Sequence, residues 1–280
     1  MPMPVPLHNV SINTATLGYK ASIRETVDAI AHAGFGGIAP WRREIESGAA
    51  RTIGRYIRDA GLRVSGYCRS TYFPASSPEA WSASIEDNRQ ALRDAAELGA
   101  ECFVLVAGGL PNGSRDLAGA RQQIADGIAA LMRDAAALGV PLAIEPLHPM
   151  YAADRSCINT IEQALDLCTL LDPSGIGPLG VAIDVYHTWW DPKLEAMIGR
   201  AGRENRILAY HVNDWLDPTS DLLMDRGLPG EGVIDLSWFG NCIRDTGYNG
   251  LSELEVFSKL LQNTPNDQLL KKCAASLTAL

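Results

Sequence analysis

The feature that most constrains the fold is a regular alternation of short apolar runs with longer amphipathic segments. Eight runs have the composition of buried β-strands: NVSINTATLG, GFGGIAPWR, LRVSGYCR, AECFVLVAG, VPLAIEPL, LGVAIDVYH, RILAYHVND and LSELEVF. Between them, segments such as SIRETVDAIAHAG carry apolar residues at spacings of three and four, which predicts about eight helices. Several of these segments end in a glycine, where a left-handed helix stop is expected: Gly34, Gly61, Gly99 and Gly139.

Strict strand–helix alternation predicts a parallel sheet covered by helices. Eight repeats in 280 residues fit an α/β fold of the (β/α)8 TIM barrel type, as a single domain that spans residues 1–280. No Pro/Gly/Ser-rich linker divides the chain. A doubly wound open sheet is the alternative, but it usually has fewer strands, and no GxGxxG sequence opens a helix here.

Composition and charge narrow the class of protein. The net charge of −9 argues against binding to nucleic acid or to an anionic membrane surface. The six cysteines form no CxxC pair and lie mostly in apolar runs, so buried free thiols are expected. The start of the chain, MPMPVPLHNV, lacks the pattern of a signal peptide, and no window approaches 18 apolar residues. We therefore expect a cytoplasmic protein without a membrane span.

Polar residues end four of the predicted strands. Because side chains alternate between the two faces of a strand, the bulky residues of LAIE and VAID face the helices, while the alanine and the acidic residue face the barrel interior. This reasoning places Glu145, Asp184, His211 and Glu255 inside, at the C-terminal strand ends where barrel active sites are built. Glu253 has the same parity as Glu255 and competes with it for the fourth position.

Three carboxylates that converge in one barrel repel one another unless some are protonated or a cation neutralises them. Three carboxylate oxygens and one imidazole nitrogen suit one divalent metal ion, Mn²⁺ or Mg²⁺ best, with Co²⁺ and Zn²⁺ as alternatives. The lack of thiolate ligands argues against a structural zinc site.

Five stretches in the second half of the chain carry a family resemblance: LAIEPLHP, VAIDVYH, ILAYHVNDW, DRGLPGEGVIDL and YNGLSELEVFS. In this order they resemble the sugar phosphate isomerase/epimerase family, part of the xylose isomerase-like TIM barrel superfamily. The resemblance runs from about Ser11 to Phe257, although the first four strands match more by pattern than by motif. It implies a metal site formed by the four residues named above, a sugar as the small-molecule substrate and, from other members, a homo-oligomer.

The resemblance also implies a mechanism. A divalent cation stabilises the enediolate that forms when a proton leaves the carbon next to a carbonyl group. Glu145 and Glu255 would be the catalytic acid and base. His187 and Arg226 match the substrate-binding histidine and arginine of the family, and His148 is a further substrate-binding candidate. The plain alternatives are a turn histidine for His187, a surface ion pair with Asp221 or Asp225 for Arg226, and a loop role for His148.

Several readings of the function stay open. The leading one is a metal-dependent isomerase or epimerase of a ketose, and the second is a lyase or dehydratase that shares the first step, acting on inosose, dehydroshikimate or an oxidised C-glycoside. A nuclease like endonuclease IV and a non-enzymatic sugar-binding barrel are further alternatives. Among other residues, Arg42 and Arg69 could bind an anionic group or lie at the surface. Trp189 and Trp190 could stack on a sugar or pack against loops.

Overall fold

Eight parallel strands form the wall of a closed barrel in the computed structural model, which describes residues 5–280. Counted in chain order with a two-stranded hairpin included, the strands are β1 (Val10–Asn13), β2 (Gly37–Ala39), β3 (Arg63–Val64), β4 (Phe103–Leu105), β5 (Leu142–Ile144), β6 (Leu179–Asp184), β7 (Ile207–Val212), β8 (Asp214–Trp215), β9 (Arg226–Gly227) and β10 (Ser252–Leu254). All eight predicted strand runs contain one strand of the barrel wall. The α/β barrel predicted from the alternation is therefore confirmed.

Strand order shows how the barrel closes. The paired sheet runs β3-β2-β1-β10-β7-β6-β5-β4, and every pair in it is parallel. Its two ends meet through parallel bridges from Val64 to Ala100 and from Tyr67 to Phe103. Since the ring is closed, all C-terminal strand ends lie around one opening.

Helices connect the strands on the outside of the barrel. They are α1 (Ile23–His32), α2 (Ala50–Asp59), α3 (Pro78–Leu98), α4 (Leu117–Leu138), α5 (Ile161–Leu171), α6 (Val185–Thr188), α7 (Leu194–Arg203), α8 (Leu236–Asp245), α9 (Lys259–Gln262) and α10 (Asn266–Ser276). Short 3-10 helices span Leu7–Asn9, Thr14–Leu17, Arg42–Glu44, Pro149–Tyr151 and Leu277–Ala279. The glycines that end α3 and α4, Gly99 and Gly139, have φ values of 78° and 69°, as predicted for left-handed helix stops.

Side-chain size separates the two faces of the wall. Inside the barrel the buried apolar residues are small or medium in size: Cys68, Cys102, Val104, Ala143, Ala182 and Ala209. The larger apolar residues pack between the sheet and the helices. The alanines of β6 and β7 are partners in register, and two residues later Asp184 is the partner of His211. The pattern of bulky outward and small inward residues thus brings the polar strand ends to one level.

The remaining features of the fold are a short hairpin, the state of the cysteines and the character of the helices. The antiparallel hairpin β8–β9 follows β7 and places Trp215 opposite Arg226; the sequence pattern did not predict it. All six cysteines are free, and all are buried except Cys242, which is partly exposed. Within residues 5–280, no helix combines the length and the apolar character needed to cross a bilayer.

Candidate metal centre

Four side chains meet at the C-terminal end of the barrel: Glu145, Asp184, His211 and Glu255. One ligand atom from each lies within 4.8 Å of the others. None of the four is more than 5% exposed. The closest pair is Glu145 Oε1 and His211 Nδ1, which are 2.8 Å apart. The structure therefore brings together the four residues that alternation and resemblance selected from the sequence.

Strand ends explain why these residues meet. Asp184 is the last residue of β6, and His211 lies beside it in β7. Glu145 directly follows β5 and Glu255 directly follows β10. Neighbouring strands are about 4.8 Å apart, so side chains at equivalent positions on adjacent strands reach a common point. The site is thus a consequence of register in the second half of the barrel.

Asp184 is fully buried, but each of its oxygens has partners. Its Oδ1 accepts hydrogen bonds from Tyr186 N at 2.8 Å and from Asn213 Nδ2 at 2.9 Å. Its Oδ2 accepts from Arg226 Nη1 at 3.0 Å. Burial alone would raise the pKa of Asp184, but the charge of Arg226 and the nearby His187 hold the pKa below its usual value. The carboxylate is therefore ionised and ready to bind a cation.

The ring of His211 is held between two carboxylates. Its Nδ1 faces Glu145, while its Nε2 lies 3.6 Å from Glu253 Oε1 and has no hydrogen-bond partner among the described residues. Burial lowers the pKa of His211, but Glu253 and Glu145 outweigh it and raise the pKa well above its usual value. Nδ1 thus lies on the side of the cluster, and Nε2 lies on the side of Glu253, just beyond hydrogen-bond distance.

Glu255, rather than Glu253, joins the four-residue cluster. Glu255 Oε1 accepts from Asn13 Nδ2 at 3.0 Å, and its Oε2 accepts from Arg226 Nη1 at 3.2 Å. Burial and the charge of Glu145 raise the pKa of Glu255 to about 8. Glu253 instead accepts from Asn13 Nδ2 at 2.8 Å and from Ser65 Oγ at 2.7 Å. The two glutamates share a parity and the Asn13 donor, but Glu255 also bonds to Arg226 and Glu253 to Ser65.

These donors fit a divalent cation. Buried carboxylates are costly unless a positive charge compensates them. Here Arg226 supplies one positive charge to a cluster with three carboxylates. Three hard oxygen donors and one imidazole nitrogen match the ligands that Mn²⁺, Mg²⁺ and related ions accept. The cluster can therefore hold one metal ion, and its chemistry does not select the element.

Arg226 does not lie at the surface. It is 3% exposed, and its guanidinium carbon lies 4.5 Å from the ring centre of Tyr186 and 4.9 Å from that of Phe257. The alternative of a surface ion pair with Asp221 or Asp225 is wrong, because the side chain bonds to the buried Asp184 and Glu255 instead. The hairpin strand β9 turns this arginine inward, and a single sequence carries no sign of that.

His187 faces Arg226 across a short gap. His187 Nδ1 accepts a hydrogen bond from the backbone N–H of His148 at 3.3 Å, and burial lowers the pKa of His187 to about 3. The neutral ring therefore carries its proton on Nε2, which lies 3.2 Å from Arg226 Nη2. Two donors thus lie side by side, and an oxygen acceptor placed beside the pair could accept a hydrogen bond from each.

The ring of His148 lies among aromatic side chains. Its centre is 5.5 Å from that of Trp190 and 5.4 Å from that of Trp215, and its Nδ1 accepts from Met150 N. Trp189 packs on Trp215 at 5.7 Å, and Trp190 Nε1 donates to the carbonyl of His187. These tryptophans pack against loops. The substrate-binding role of His148 stays a prediction, while its backbone orients His187.

A cavity lies above the cluster, with about 450 Å³ of space between its atoms, including the part open to solvent. Its lining residues are Trp41, Cys68, Arg69, Val104, Val106, Glu145, Leu147, Tyr151, Arg155, His187, Leu223, Arg226, Glu255 and Phe257. The segment that carries Leu223 is fixed from two sides, because the phenols of Tyr151 and Tyr186 both donate to the carbonyl of Leu222, at 2.6 and 2.9 Å.

Three arginines line this cavity, and sequence reasoning named only two of them. These two are Arg226 and Arg69, and for Arg69 the sequence left two alternatives, an anion-binding role and a place at the surface. Arg155, in the loop after β5, was missed, because a loop arginine carries no periodic signal. Arg42 lies outside this cavity and forms an ion pair with Asp87 at 2.9 Å.

The fold and this site agree with comparisons to known proteins. A family model described as xylose isomerase-like TIM barrel matches residues 27–279. The chain belongs to that family. The crystal structure of protein SMc04130 from Sinorhizobium meliloti 1021 superimposes with a TM-score of 0.93 and 47% sequence identity, covering 97% of this chain and 98% of that one.

Curated relatives of the chain are enzymes. The 3-dehydroshikimate dehydratase of Pseudomonas aeruginosa is 28% identical over 262 residues, which cover 90% of this chain and 38% of that protein. The inosose isomerase of Bacillus velezensis is 29% identical over 123 residues, which cover 42% of this chain and 40% of that protein. The matched regions thus span about two fifths of the length of each of these relatives.

Proposed function

We propose that the protein is a metal-dependent isomerase or epimerase of a ketose or a related sugar. The observation that carries this proposal is the gathering of four ligand atoms within 4.8 Å, two of them from residues that line a cavity, Glu145 and Glu255. Such an arrangement suits removal of a proton next to a carbonyl group, because that step needs a cation for the developing oxyanion and a nearby base.

The metal ion would be held by Glu145, Asp184, His211 and Glu255, and Mn²⁺ or Mg²⁺ is our first choice. When bound, it supplies Lewis-acid stabilisation of negative charge on the substrate oxygens. Asn213 and Asn13 orient the carboxylates of Asp184 and Glu255 through hydrogen bonds of 2.9 and 3.0 Å.

Glu145 and Glu255 are the proposed acid and base. Both line the cavity and both are nearly fully buried, so water competes little for the proton that they transfer. One carboxylate takes the proton from the carbon next to the carbonyl group, and the other returns a proton to the neighbouring carbon or to the opposite face.

His187 and Arg226 are the proposed substrate-binding donors. His187 Nε2 and Arg226 Nη2 lie 3.2 Å apart, so both can donate to one oxygen placed beside them. A substrate oxygen that carries developing negative charge would accept from both. The backbone N–H of His148 fixes the His187 tautomer, since it occupies the other ring nitrogen.

A second candidate function is a lyase that removes water from a cyclic hydroxy ketone. The observation that favours it is the 28% identity to a 3-dehydroshikimate dehydratase across 90% of this chain. The same first proton transfer gives an enolate, and loss of the β-hydroxyl as water completes the elimination. The ligand set serves both reactions equally well.

One experiment separates the two candidates. Metal-loaded protein is incubated in D₂O with D-fructose, 2-keto-D-gluconate, D-fructose 6-phosphate, inosose and 3-dehydroshikimate. An isomerase or epimerase incorporates deuterium next to the carbonyl without loss of water, as NMR and mass spectrometry would detect. A lyase instead produces a new conjugated-carbonyl absorbance. If no compound exchanges or eliminates faster with the metal-loaded protein than with the metal-stripped protein, both functions are refuted.

A further inference from the structure

Two arginines flank the end of strand β4 at the mouth of the cavity. On one side Ser70 N donates to Val104 O at 3.0 Å, so Arg69 lies beside this strand. On the other side Gly108 N donates to the carbonyl of Arg155 at 3.0 Å. Strands in a sheet are about 4.8 Å apart, so the two flanking segments are separated by roughly 10 Å. Both side chains line the cavity that has the acidic cluster at its floor.

Neither arginine has a strong charge partner. The only hydrogen bond from the Arg69 guanidinium within residues 5–280 goes to the carbonyl of Ser70, and no carboxylate there lies within 4.0 Å of it. The nearest carboxylate to Arg155 is Asp154 at 3.8 Å, whose side chain is 64% exposed. Arg155 Nε is buried and has no hydrogen-bond partner in the described chain. A guanidinium has five N–H donors, so most of this capacity is free.

Aromatic rings hold both guanidinium groups in place. The central carbon of Arg69 lies 4.4 Å from the ring centre of Tyr72, and that of Arg155 lies 5.3 Å from the ring centre of Tyr151. Cation–π contacts of this kind reduce the freedom of the side chain while its N–H groups stay available. The two donors are therefore ordered before a ligand arrives, which lowers the entropy cost of binding.

The balance of charges in the cavity indicates which kind of ligand Arg69 and Arg155 would bind. When a divalent cation is held by the cluster, that ion and Arg226 together offset the three ligand carboxylates. Arg69 then has no carboxylate partner among the described residues, and Arg155 has the largely exposed Asp154 at 3.8 Å. A charge on the buried Glu253 lies beside His211 instead, so the charge of Arg69 remains at the cavity wall. A neutral sugar would leave this charge without a partner, whereas an anionic substrate would compensate it.

We infer that the substrate carries an anionic group, a carboxylate or a phosphate, which Arg69 and Arg155 bind on the β3–β5 side of the cavity. Its carbonyl end faces the acidic cluster on the opposite side. This inference rests on the proposed function and adds the substrate class, a sugar acid, a sugar phosphate or a carboxylated cyclic ketone.

Binding by isothermal titration calorimetry to the metal-loaded protein tests the inference. The ligands form two matched sets: D-fructose with 2-keto-D-gluconate and D-fructose 6-phosphate, and inosose with 3-dehydroshikimate. We expect at least one anionic ligand to bind about tenfold or more tightly than its neutral partner. A preference for the acids assigns a carboxylate, and a preference for the sugar phosphate assigns a phosphate.

Variants identify the residues responsible. Arg69→Gln and Arg155→Gln should each weaken the preferred anion about tenfold and leave the neutral ligand unchanged. Arg42→Gln is the matched control, because Arg42 is already paired with Asp87 and lies outside the cavity; it should change neither affinity. The inference is overturned if no anionic ligand binds more tightly than its neutral partner, or if both cavity variants bind the anion normally.

The proposed function can be judged separately. Deuterium exchange into a neutral ketose, together with one bound metal ion per chain, would support the isomerase proposal even if the arginines contributed nothing. If the wild-type protein neither binds a metal ion nor catalyses deuterium exchange, the proposed function is rejected. Circular dichroism and metal content of each arginine variant establish that a change in affinity does not come from misfolding.

Discussion

The two halves of the barrel differ in what they present at the same end of the sheet. Strands β5, β6, β7 and β10 end in ionisable residues that converge, whereas strands β1 to β4 present mostly uncharged side chains such as Asn13, Cys68 and Val104, with Arg69 as a charged residue at the cavity wall. The second half therefore supplies reactive groups and the first half supplies walls and hydrogen bonds. The difference explains why the sequence motifs are concentrated in the second half of the chain.

The sharpest test of this division is the removal of charge from the second half. Glu145→Gln keeps the shape of the side chain but removes an anionic ligand and a proposed base. We expect turnover of the substrate found in D₂O to fall by about 10³-fold or more, since general base catalysis alone contributes 10²–10⁴-fold. The control is Glu97→Gln, a partly exposed residue paired with Arg51, which should retain normal turnover. Near-normal activity of Glu145→Gln would contradict the acid/base role.

Arg226 gives the next largest expected effect, because it is the only cation that bonds to the cluster in the described structure. Arg226→Gln leaves Asp184 and Glu255 buried without their partner, which should cost the metal-free protein about 3 kcal/mol of unfolding free energy. Divalent metal should restore part of the loss, as urea denaturation with and without Mn²⁺ would measure.

The control for that measurement is a second buried ion pair away from the site. Arg206 bonds to Asp172 at 3.3 Å, and both side chains are 5% exposed. Arg206→Gln should lower stability by a similar amount without recovery specific to that variant. If metal restores both variants equally, Arg226 has no special relation to the cluster.

Substitution of Glu253 should have a smaller effect than substitution of Glu145 or Arg226, and we expect it in the affinity for metal. Its Oε1 lies 3.6 Å from His211 Nε2, where it can orient the ring for metal binding through Nδ1. Residues that orient a ligand in this way typically contribute 10- to 100-fold in affinity. We expect Glu253→Gln to weaken Mn²⁺ binding by about this factor in calorimetry, with little change in the circular dichroism spectrum. Unchanged affinity would mean that Glu253 serves only as the hydrogen-bond acceptor of Ser65 and Asn13.

The smallest effect is expected in the first half. Val104 is 1% exposed and lines the cavity from β4. Val104→Ala should lower stability by about 1–2 kcal/mol through the lost methyl groups and leave metal affinity unchanged. A loss of metal binding as large as that of Glu253→Gln would show that the two halves are not functionally separate.

Much of this division could be predicted from the sequence, since it depends on local periodicity. Alternation in LAIE and VAID fixes which residues face inward, and it correctly grouped Glu145 and Asp184. The family resemblance names Arg226, but its bonds to Asp184 and Glu255 and the position of Arg155 could not be predicted, because hairpin and loop side chains take their direction from tertiary contacts. Glu253 and Glu255 have the same parity, and Glu255 is preferred because it lies nearer the C-terminal end of the strand; the four-residue cluster contains Glu255.

The carbonyl of Leu222 has a consequence for the range of substrates. Two phenols from separate segments, Tyr151 and Tyr186, bond to this one oxygen. These bonds fix the part of the cavity wall that Leu223 forms. We therefore expect this wall to yield little to a longer substrate, and replacement of Tyr151 or Tyr186 by phenylalanine to let longer substrates bind.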